Sequence, residues 1–62
     1  MKTYQNYTKA TWMNSLAETQ AYYVRAIADD HTSMIDIWDA EVNRIQHVID
    51  NWDTLAVDDG DN

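Results

Sequence analysis

Hydrophobic residues between positions 34 and 56 recur at alternating steps of three and four. Seven of them form an apolar seam: Ile35, Trp38, Val42, Ile45, Ile49, Trp52 and Ala56. This spacing keeps one face of an α-helix turned toward a partner over about three heptads. Met34, Val48 and Leu55 lie beside the seam and widen it to the face of a helix in a globular protein. The pattern therefore predicts one long helix over residues 34–56.

A second amphipathic segment precedes this helix. Residues 9–28 contain neither proline nor glycine and are rich in residues that favour helix. Their apolar positions fit one face at the same spacing: Trp12, Met13, Leu16, Ala17, Tyr23, Val24 and Ile27. Gln20 interrupts this face, and it either lies at the edge or fixes the register between helices. Thr8 or Thr11 can cap the helix, because a threonine oxygen accepts a hydrogen bond from a free first-turn N–H.

A short polar run, residues 29–33, separates the two predicted helices. Its Asp, His, Thr and Ser residues favour turns and caps, and Asp30 or Ser33 can cap the second helix. A connection this short makes consecutive helices antiparallel neighbours. We therefore expect an all-α fold, a two-helix antiparallel hairpin with an N-terminal arm, in a single domain of residues 1–57. Residues 58–62 are expected to form a disordered acidic tail.

Two helices alone leave hydrophobic surface uncovered. A domain of about 60 residues buries only roughly 60% of its unfolded surface, and three tryptophans are too large for one helix–helix contact to enclose. Either two hairpins dimerise into a four-helix bundle, or the arm covers the surface within a monomer. We favour the dimer. The expected core and dimer residues are Leu16, Val24, Ile27, Ile35, Trp38, Val42, Ile45, Ile49 and Trp52.

The charge of the chain is unevenly distributed. Of the net charge of −7, residues 1–32 contribute nothing, with three acids and three bases. Residues 33–62 contain eight acids and a single base, Arg44, and so account for the whole value. Such a field repels nucleic acid and anionic membranes and attracts basic protein surfaces. The chain also lacks cysteine, a signal-like start and the ~20 apolar residues of a membrane span. We therefore expect a cytoplasmic protein.

No pattern in the sequence favours catalysis or metal binding. His31 lies among Asp and Ser residues, but residues 29–33 have the composition of an ordinary turn, and a catalytic triad also needs convergent geometry. His47 and Asp50 share a helix face, but it is the outer, polar face. Residues 58–61 begin like a calcium loop and lack its remaining ligands. We therefore expect no enzyme activity, no cofactor and no metal.

A polar and mostly acidic stripe follows the seam, one position round the second helix. It consists of Asp36, Asp39, Asn43, Gln46, Asp50 and Asp53. The stripe is about 25 Å long at ~1.5 Å per residue, and it can occupy a groove that binds a nucleic-acid backbone, whose phosphates recur about every 3.4 Å along each strand. The simpler interpretation is a solvated face that keeps the protein soluble. The candidate partner-binding residues are Asp29, Asp30, Asp36, Asp39, Asp50 and Asp53.

In size, charge and predicted helicity the chain resembles the small acidic proteins with which phages and mobile elements block host nucleic-acid machinery, including DNA mimics and anti-CRISPR proteins. The resemblance implies an inhibitor that occupies a basic nucleic-acid-binding surface of a host protein, in the host cytoplasm. The alternative is a homodimeric coiled-coil adaptor or regulatory protein that binds its partner through apolar or aromatic surface. Salt distinguishes the two, because it screens only the electrostatic interaction.

Overall fold

The computed structural model describes residues 1–58, of which 74% are helical. Two long helices pack together as a hairpin, α1 over Lys9–Ala28 and α2 over Thr32–Asp50. The prediction of a mostly helical hairpin is thus confirmed. The chain forms a rod of 49 × 16 × 14 Å. Apart from Asp58, the predicted acidic tail lies outside the described residues.

Helix α1 begins at a threonine cap. Thr8 has an extended backbone (φ −75°, ψ 164°), and its Oγ1 accepts a hydrogen bond from the Thr11 N–H at 3.3 Å. This contact satisfies one of the backbone donors that the first helical turn leaves free. Of the two threonines that the sequence offers as caps, Thr8 is the one used, and the helix begins at Lys9.

The turn between α1 and α2 is a Schellman motif. The N–H groups of Asp30 and His31 donate to the carbonyls of Ile27 and Ala26, at 3.1 and 3.0 Å. Asp30 has a left-handed backbone (φ 55°), as the motif requires just beyond the helix end. Neither Asp30 nor Ser33 is the N-cap of α2, so that prediction is wrong. The N-cap is His31, whose side chain makes no capping hydrogen bond.

The long second helix of the sequence prediction is interrupted near its end. Helix α2 begins at Thr32 and ends at Asp50, and a separate turn of helix, α3, covers Trp52–Leu55. Asn51 lies between them, and its side-chain amide donates to the His47 carbonyl at 2.9 Å. An asparagine side chain that bonds to the backbone in this way competes with helix continuation. The single helix predicted over residues 34–56 is therefore wrong at its C-terminal end.

The arm forms a small antiparallel sheet with the end of the described chain. Its strands are β1 (Lys2–Tyr4), β2 (Tyr7–Thr8) and β3 (Val57–Asp58), in the order β2-β1-β3. Asp58 accordingly lies in a strand rather than in a disordered tail. Its Oδ1 also pairs with the N-terminal ammonium group of Met1 at 2.9 Å. The all-α expectation therefore omits a short β-structure that joins the two ends of the described chain.

A two-residue turn connects β1 and β2. Gln5 and Asn6 have φ angles of 53° and 69°, and positive values at both positions define the type I′ turn that suits a tight β-hairpin. Asparagine tolerates this backbone conformation better than most residues. The turn sets Tyr4 opposite Tyr7 in the ladder.

The core lies at the end of the rod where the sheet covers the helices, which we call the arm end. Its buried cluster consists of Trp12, Ile45, Val48, Trp52 and Ala56. Trp12 and Trp52 are only 6% and 7% exposed, so a single chain encloses both. The Trp12 indole N–H donates to the Tyr4 carbonyl at 3.1 Å. At this end the arm covers Trp12, through the Tyr4 carbonyl and the rings of Tyr4 and Tyr7.

Helix α1 packs on α2 through a different face from the one expected. The buried positions recur every seven residues at Trp12, Thr19 and Ala26. The Thr19 hydroxyl donates to the Ser15 carbonyl at 2.7 Å, which satisfies a buried polar group within its own helix. Val24 and Ile27 are 64% and 50% exposed. Within one chain these two residues, which were expected in the core, therefore lie outside it.

Candidate partner-binding surfaces

The acidic residues of α2 lie on its solvent-exposed side. At about 100° per residue, Asp36, Asp39 and Asp50 are roughly 120–180° round the helix from Ile45, and all three are exposed whereas Ile45 is buried. An amphipathic helix with a buried seam has to orient its intervening carboxylates in this way. We call six of the exposed aspartates the carboxylate surface: Asp29, Asp30, Asp36, Asp39, Asp50 and Asp53.

The carboxylate surface is divided by the break after α2. Asp53 lies in the first turn of α3 rather than on α2. The part on one straight helix, from Asp36 to Asp50, is about 21 Å long at ~1.5 Å per residue. The remaining members, Asp29 and Asp30, lie in the turn at the other end of the rod.

Arg44, the only Lys or Arg residue of α2, already pairs with a neighbouring carboxylate. Arg44 binds Glu41 through two hydrogen bonds, Nε to Oε1 at 2.8 Å and Nη2 to Oε2 at 3.0 Å. The hydrogen bond from Arg44 lowers the pKa of Glu41, and the same contact raises the pKa of Arg44. The Arg44 guanidinium also lies 5.7 Å from the centre of the Trp12 ring. These contacts with Glu41 and Trp12 hold the Arg44 side chain at the arm end.

Most residues of the carboxylate surface have no ion-pair partner among residues 1–58. Among residues 1–58, Asp36, Asp39 and Asp53 make no ion pair. Asp50 accepts a hydrogen bond from the uncharged Gln46 amide at 2.9 Å. Asp29 lies 3.8 Å from Arg25, and both side chains are largely exposed, so solvent and salt weaken that pair.

A cleft of about 350 Å³ lies beside the arm. Thr11 and Ser15 of α1 line it together with the Glu41–Arg44 pair. Neither histidine lines this cleft, and within the described part of the chain no three His, Asp or Glu side chains are placed to hold a metal ion. The lining offers a ligand hydroxyl groups, the side chains of Gln5, Tyr7 and Trp12, and a charge pair that is satisfied internally.

A smaller cleft of about 170 Å³ lies between the helices near their connection, at what we call the turn end. Tyr22 and Trp38 line it, with ring centroids 5.2 Å apart and planes inclined by 34°. Ala26 and Met34 add apolar surface, and Arg25, Asp29 and His31 complete the lining. The cleft beside the arm also has an exposed aromatic residue, Tyr7, but there the adjacent carboxylate, Glu41, is already bound by Arg44.

The sequence pattern did not single out Tyr22, which lies beside the predicted face of the first helix. A signal was nevertheless present. In an antiparallel hairpin, residues equally distant from the turn lie opposite each other. Tyr22 and Trp38 are each eight positions from Asp30, as two large aromatic residues that meet across a hairpin should be.

One long side of the hairpin is lined by uncharged side chains between Met13 and Ile27 on α1 and between Ile35 and Ile49 on α2, with Lys9 one turn before Met13 and Asp39 at its edge. On α1, Met13, Val24 and Ile27 are exposed, and on α2 the half-buried seam residues Ile35, Val42 and Ile49 follow the same side. At about 100° per residue both sets are displaced in the same rotational sense from the helix contact, which in an antiparallel pair places them on one side. We call this the charge-free face: Met13, Leu16, Gln20, Val24, Ile27, Ile35, Val42 and Ile49.

Comparison with known protein families, curated proteins and solved structures finds no match for this chain. Within residues 1–58, no helix has the length and apolar character needed to cross a lipid bilayer. Three surfaces therefore remain as the basis for a functional interpretation: the carboxylate surface, the charge-free face and the turn-end cleft.

Proposed function

We propose that this chain is a small non-enzymatic binding protein whose carboxylate surface occupies a basic, nucleic-acid-binding surface of another protein. The observation that carries the proposal is the exposure of Asp36, Asp39 and Asp53 without an ion-pair partner in residues 1–58. Unneutralised carboxylates on one side of a rigid rod project a field that steers a basic partner and speeds its encounter.

The arrangement of the two charged side chains in the middle of α2 supports this proposal. Arg44 would weaken the field if it lay among the aspartates, but it binds Glu41 and lies against Trp12. The negative field of the outer side of α2 is thus left intact. A phage or mobile-element inhibitor of the DNA-mimic or anti-CRISPR kind would act in this way in the cytoplasm of its host.

The test replaces four aspartates of the carboxylate surface together: Asp36→Asn, Asp39→Asn, Asp50→Asn and Asp53→Asn. All four are exposed, so the fold should survive. Partners are captured from host lysate at low salt and eluted with high salt, and the affinity of the captured protein is then measured. We expect the variant to bind about a hundredfold more weakly, which is roughly 2.8 kcal/mol at 1.4 kcal/mol per tenfold.

A control variant removes charge elsewhere. Glu18→Gln, Asp59→Asn and Asp61→Asn together take away three of the eleven acids without touching the carboxylate surface. If this variant loses as much affinity per charge removed, binding depends on net charge alone and the proposed surface is wrong. If the partner is retained at high salt, the interaction is apolar and the adaptor function takes its place.

The charge-free face supports a second candidate, a homodimeric adaptor in which two hairpins form a four-helix bundle. The face is about 20 Å long and about 20 Å wide, since each helix is ~10 Å across. Its flat projected area is therefore on the order of 400 Å². The largest apolar patch of a typical monomer is about 300–600 Å² and is often functional, so a face of this size is compatible with a binding surface. Packing two such faces together would bury Val24 and Ile27 while most of the carboxylate surface stays in solvent.

Sedimentation tests this second candidate. A dimer should sediment at twice 7.2 kDa, and Val24→Asp with Ile27→Asp should return it to the monomer mass, because a carboxylate buried without a partner is strongly unfavourable. Ile37→Asp is the control, since Ile37 is similarly exposed (55%) on the opposite side of the hairpin. Ile45→Asp cannot discriminate, because Ile45 is buried inside one chain. A wild-type monomer at micromolar concentration would refute the bundle.

A further inference from the structure

The arm end shows how this protein binds a guanidinium group. Arg44 lies over the Trp12 ring, 5.7 Å from its centre, and the Glu41 carboxylate holds it through two hydrogen bonds of 2.8 and 3.0 Å. The aromatic ring contributes a cation–π attraction and the carboxylate a planar two-point hydrogen-bonding partner. An aromatic face next to a carboxylate is thus an arginine site in this fold.

The turn-end cleft contains the same components without an arginine bound between them. The rings of Tyr22 and Trp38 form its aromatic wall, and the Asp29 carboxylate lines it too. Arg25 also lines the cleft, but its side chain is 84% exposed and it lies 3.8 Å from Asp29. This long, solvent-exposed pair leaves Asp29 able to bind another cation.

The shape of the cleft limits what can enter it. Its volume of about 170 Å³ is below the roughly 300–1,000 Å³ of sites for drug-sized ligands, and it suits one long side chain. Ala26 and Met34 give it an apolar floor, against which the methylene groups of an arginine can pack while the guanidinium stacks on the rings. A lysine ammonium is a compact, strongly hydrated charge that gains less from a planar aromatic wall.

We propose that the turn-end cleft receives an arginine side chain of the basic partner, stacked on Trp38 and Tyr22 and paired with Asp29. This inference rests on the proposed function and specifies its partner. The carboxylate surface attracts any cationic surface, whereas the cleft selects one that presents an arginine. Asp29 would then belong to an anchoring site, separate from the row of carboxylates on α2.

Nona-arginine and nona-lysine peptides, which have equal length and charge, test the selection by titration calorimetry. The wild-type protein should bind the arginine peptide about tenfold more tightly than the lysine peptide, as about 1.4 kcal/mol of ring contact would give. Tyr22→Leu should bring this ratio close to one and leave the affinity for nona-lysine unchanged. Tyr22→Phe, which keeps the ring, should retain the preference.

Tyr7→Leu provides a matched control. Tyr7 and Tyr22 are 54% and 51% exposed, but Tyr7 lies at the arm end against Trp12, so its loss should leave the ratio unchanged. Trp38→Leu should abolish the preference as well. If circular dichroism shows that this variant does not fold, the exposed Tyr22 decides the question alone.

The outcomes separate the inference from the proposed function. Equal binding of the two peptides by the wild-type protein would overturn the arginine site while leaving the carboxylate surface in place. An arginine preference that survives both Tyr22→Leu and Asp29→Asn would also overturn it. If neither peptide binds, the proposed function itself fails, because a surface that cannot bind a cationic peptide cannot occupy a basic groove.

Discussion

The two ends of the hairpin are built from similar residues and reach different degrees of closure. At the arm end, Trp12 and Trp52 are almost completely buried beneath a three-stranded sheet. At the turn end, Trp38 is half-buried and Tyr22 is 51% exposed. The strands at residues 2–4, 7–8 and 57–58 enclose one end of the hairpin, and the other end is left open. Stability and recognition are thus expected at opposite ends of the rod.

Truncation of a tryptophan at each end should show the largest difference in stability between the two ends. Trp12→Ala removes a buried ring, a loss of about 3–5 kcal/mol, comparable to the whole stability of roughly 3–9 kcal/mol expected at 0.05–0.15 kcal/mol per residue. Trp38→Ala should cost less, because part of that side chain's surface is already in solvent. Urea titrations followed by circular dichroism measure both. Equal losses would show that the core extends along the whole rod.

Removal of the strand residue that covers Trp12 should have the next largest effect. Tyr4 packs against the core, with its ring 5.9 Å from that of Trp12. Tyr4→Ala should therefore destabilise the protein by about 1–2 kcal/mol, from lost burial and a lost aromatic pair. The emission of Trp12 should also move to longer wavelength as water reaches the ring. An unchanged urea midpoint would mean that the sheet does not stabilise the arm end.

Replacement of the turn residue Asp30 should stabilise the protein. Its φ of 55° is one that glycine adopts without strain, and its carboxylate lies at the negative end of the α1 dipole. A left-handed backbone costs most residues roughly 1–2 kcal/mol and glycine nothing, while the freedom of glycine in the unfolded chain returns about 0.4–1 kcal/mol. Asp30→Gly should therefore raise the free energy of unfolding by up to about 1 kcal/mol, or the melting temperature by up to ~8 °C. Asn6→Gly is the matched change at the arm end, where Asn6 is one of two residues with a left-handed backbone. A lower melting temperature for Asp30→Gly would show that the carboxylate supports the turn.

Local signals predicted α1 and the hairpin well. Three of these signals act through residues that are close in sequence: the cap at Thr8, the helix-favouring composition of residues 9–28 and the polar run that follows. They can therefore be recognised from the sequence alone. The exposed position of the acidic stripe follows from the same amphipathic pattern. These features need no knowledge of what lies far away along the chain.

The missed features depend on distant contacts or on small residues. The apolar steps continue from Ile49 to Trp52 across the break at Asn51, so periodicity cannot reveal it. The type I′ turn at Gln5 and Asn6 lacks the glycine that usually marks such a turn. Thr19 and Ala26 do not resemble core residues, yet their small size lets the helices meet there, which turns Tyr22 toward the cleft.

The smallest predicted effect concerns the charge pairs at the two ends. Arg44 lowers the pKa of Glu41 below its ordinary value of 4.5, so the pair stabilises the folded state above about pH 4.5. This stability is lost as the pH falls through the lowered pKa. The side chains are 52% and 39% exposed, so Glu41→Gln should cost only about 0.5 kcal/mol at pH 7.

Urea titrations between pH 7 and pH 3 test this effect. The wild type and Glu41→Gln should converge toward the acidic end, where the carboxyl is neutral. Asp29→Asn, which removes the looser pair with Arg25 at the turn end (3.8 Å), should change stability by less at every pH. If the difference between Glu41→Gln and the wild type is instead constant with pH, Glu41 supports the arm end through packing, and its carboxylate charge contributes nothing to holding Arg44 over Trp12.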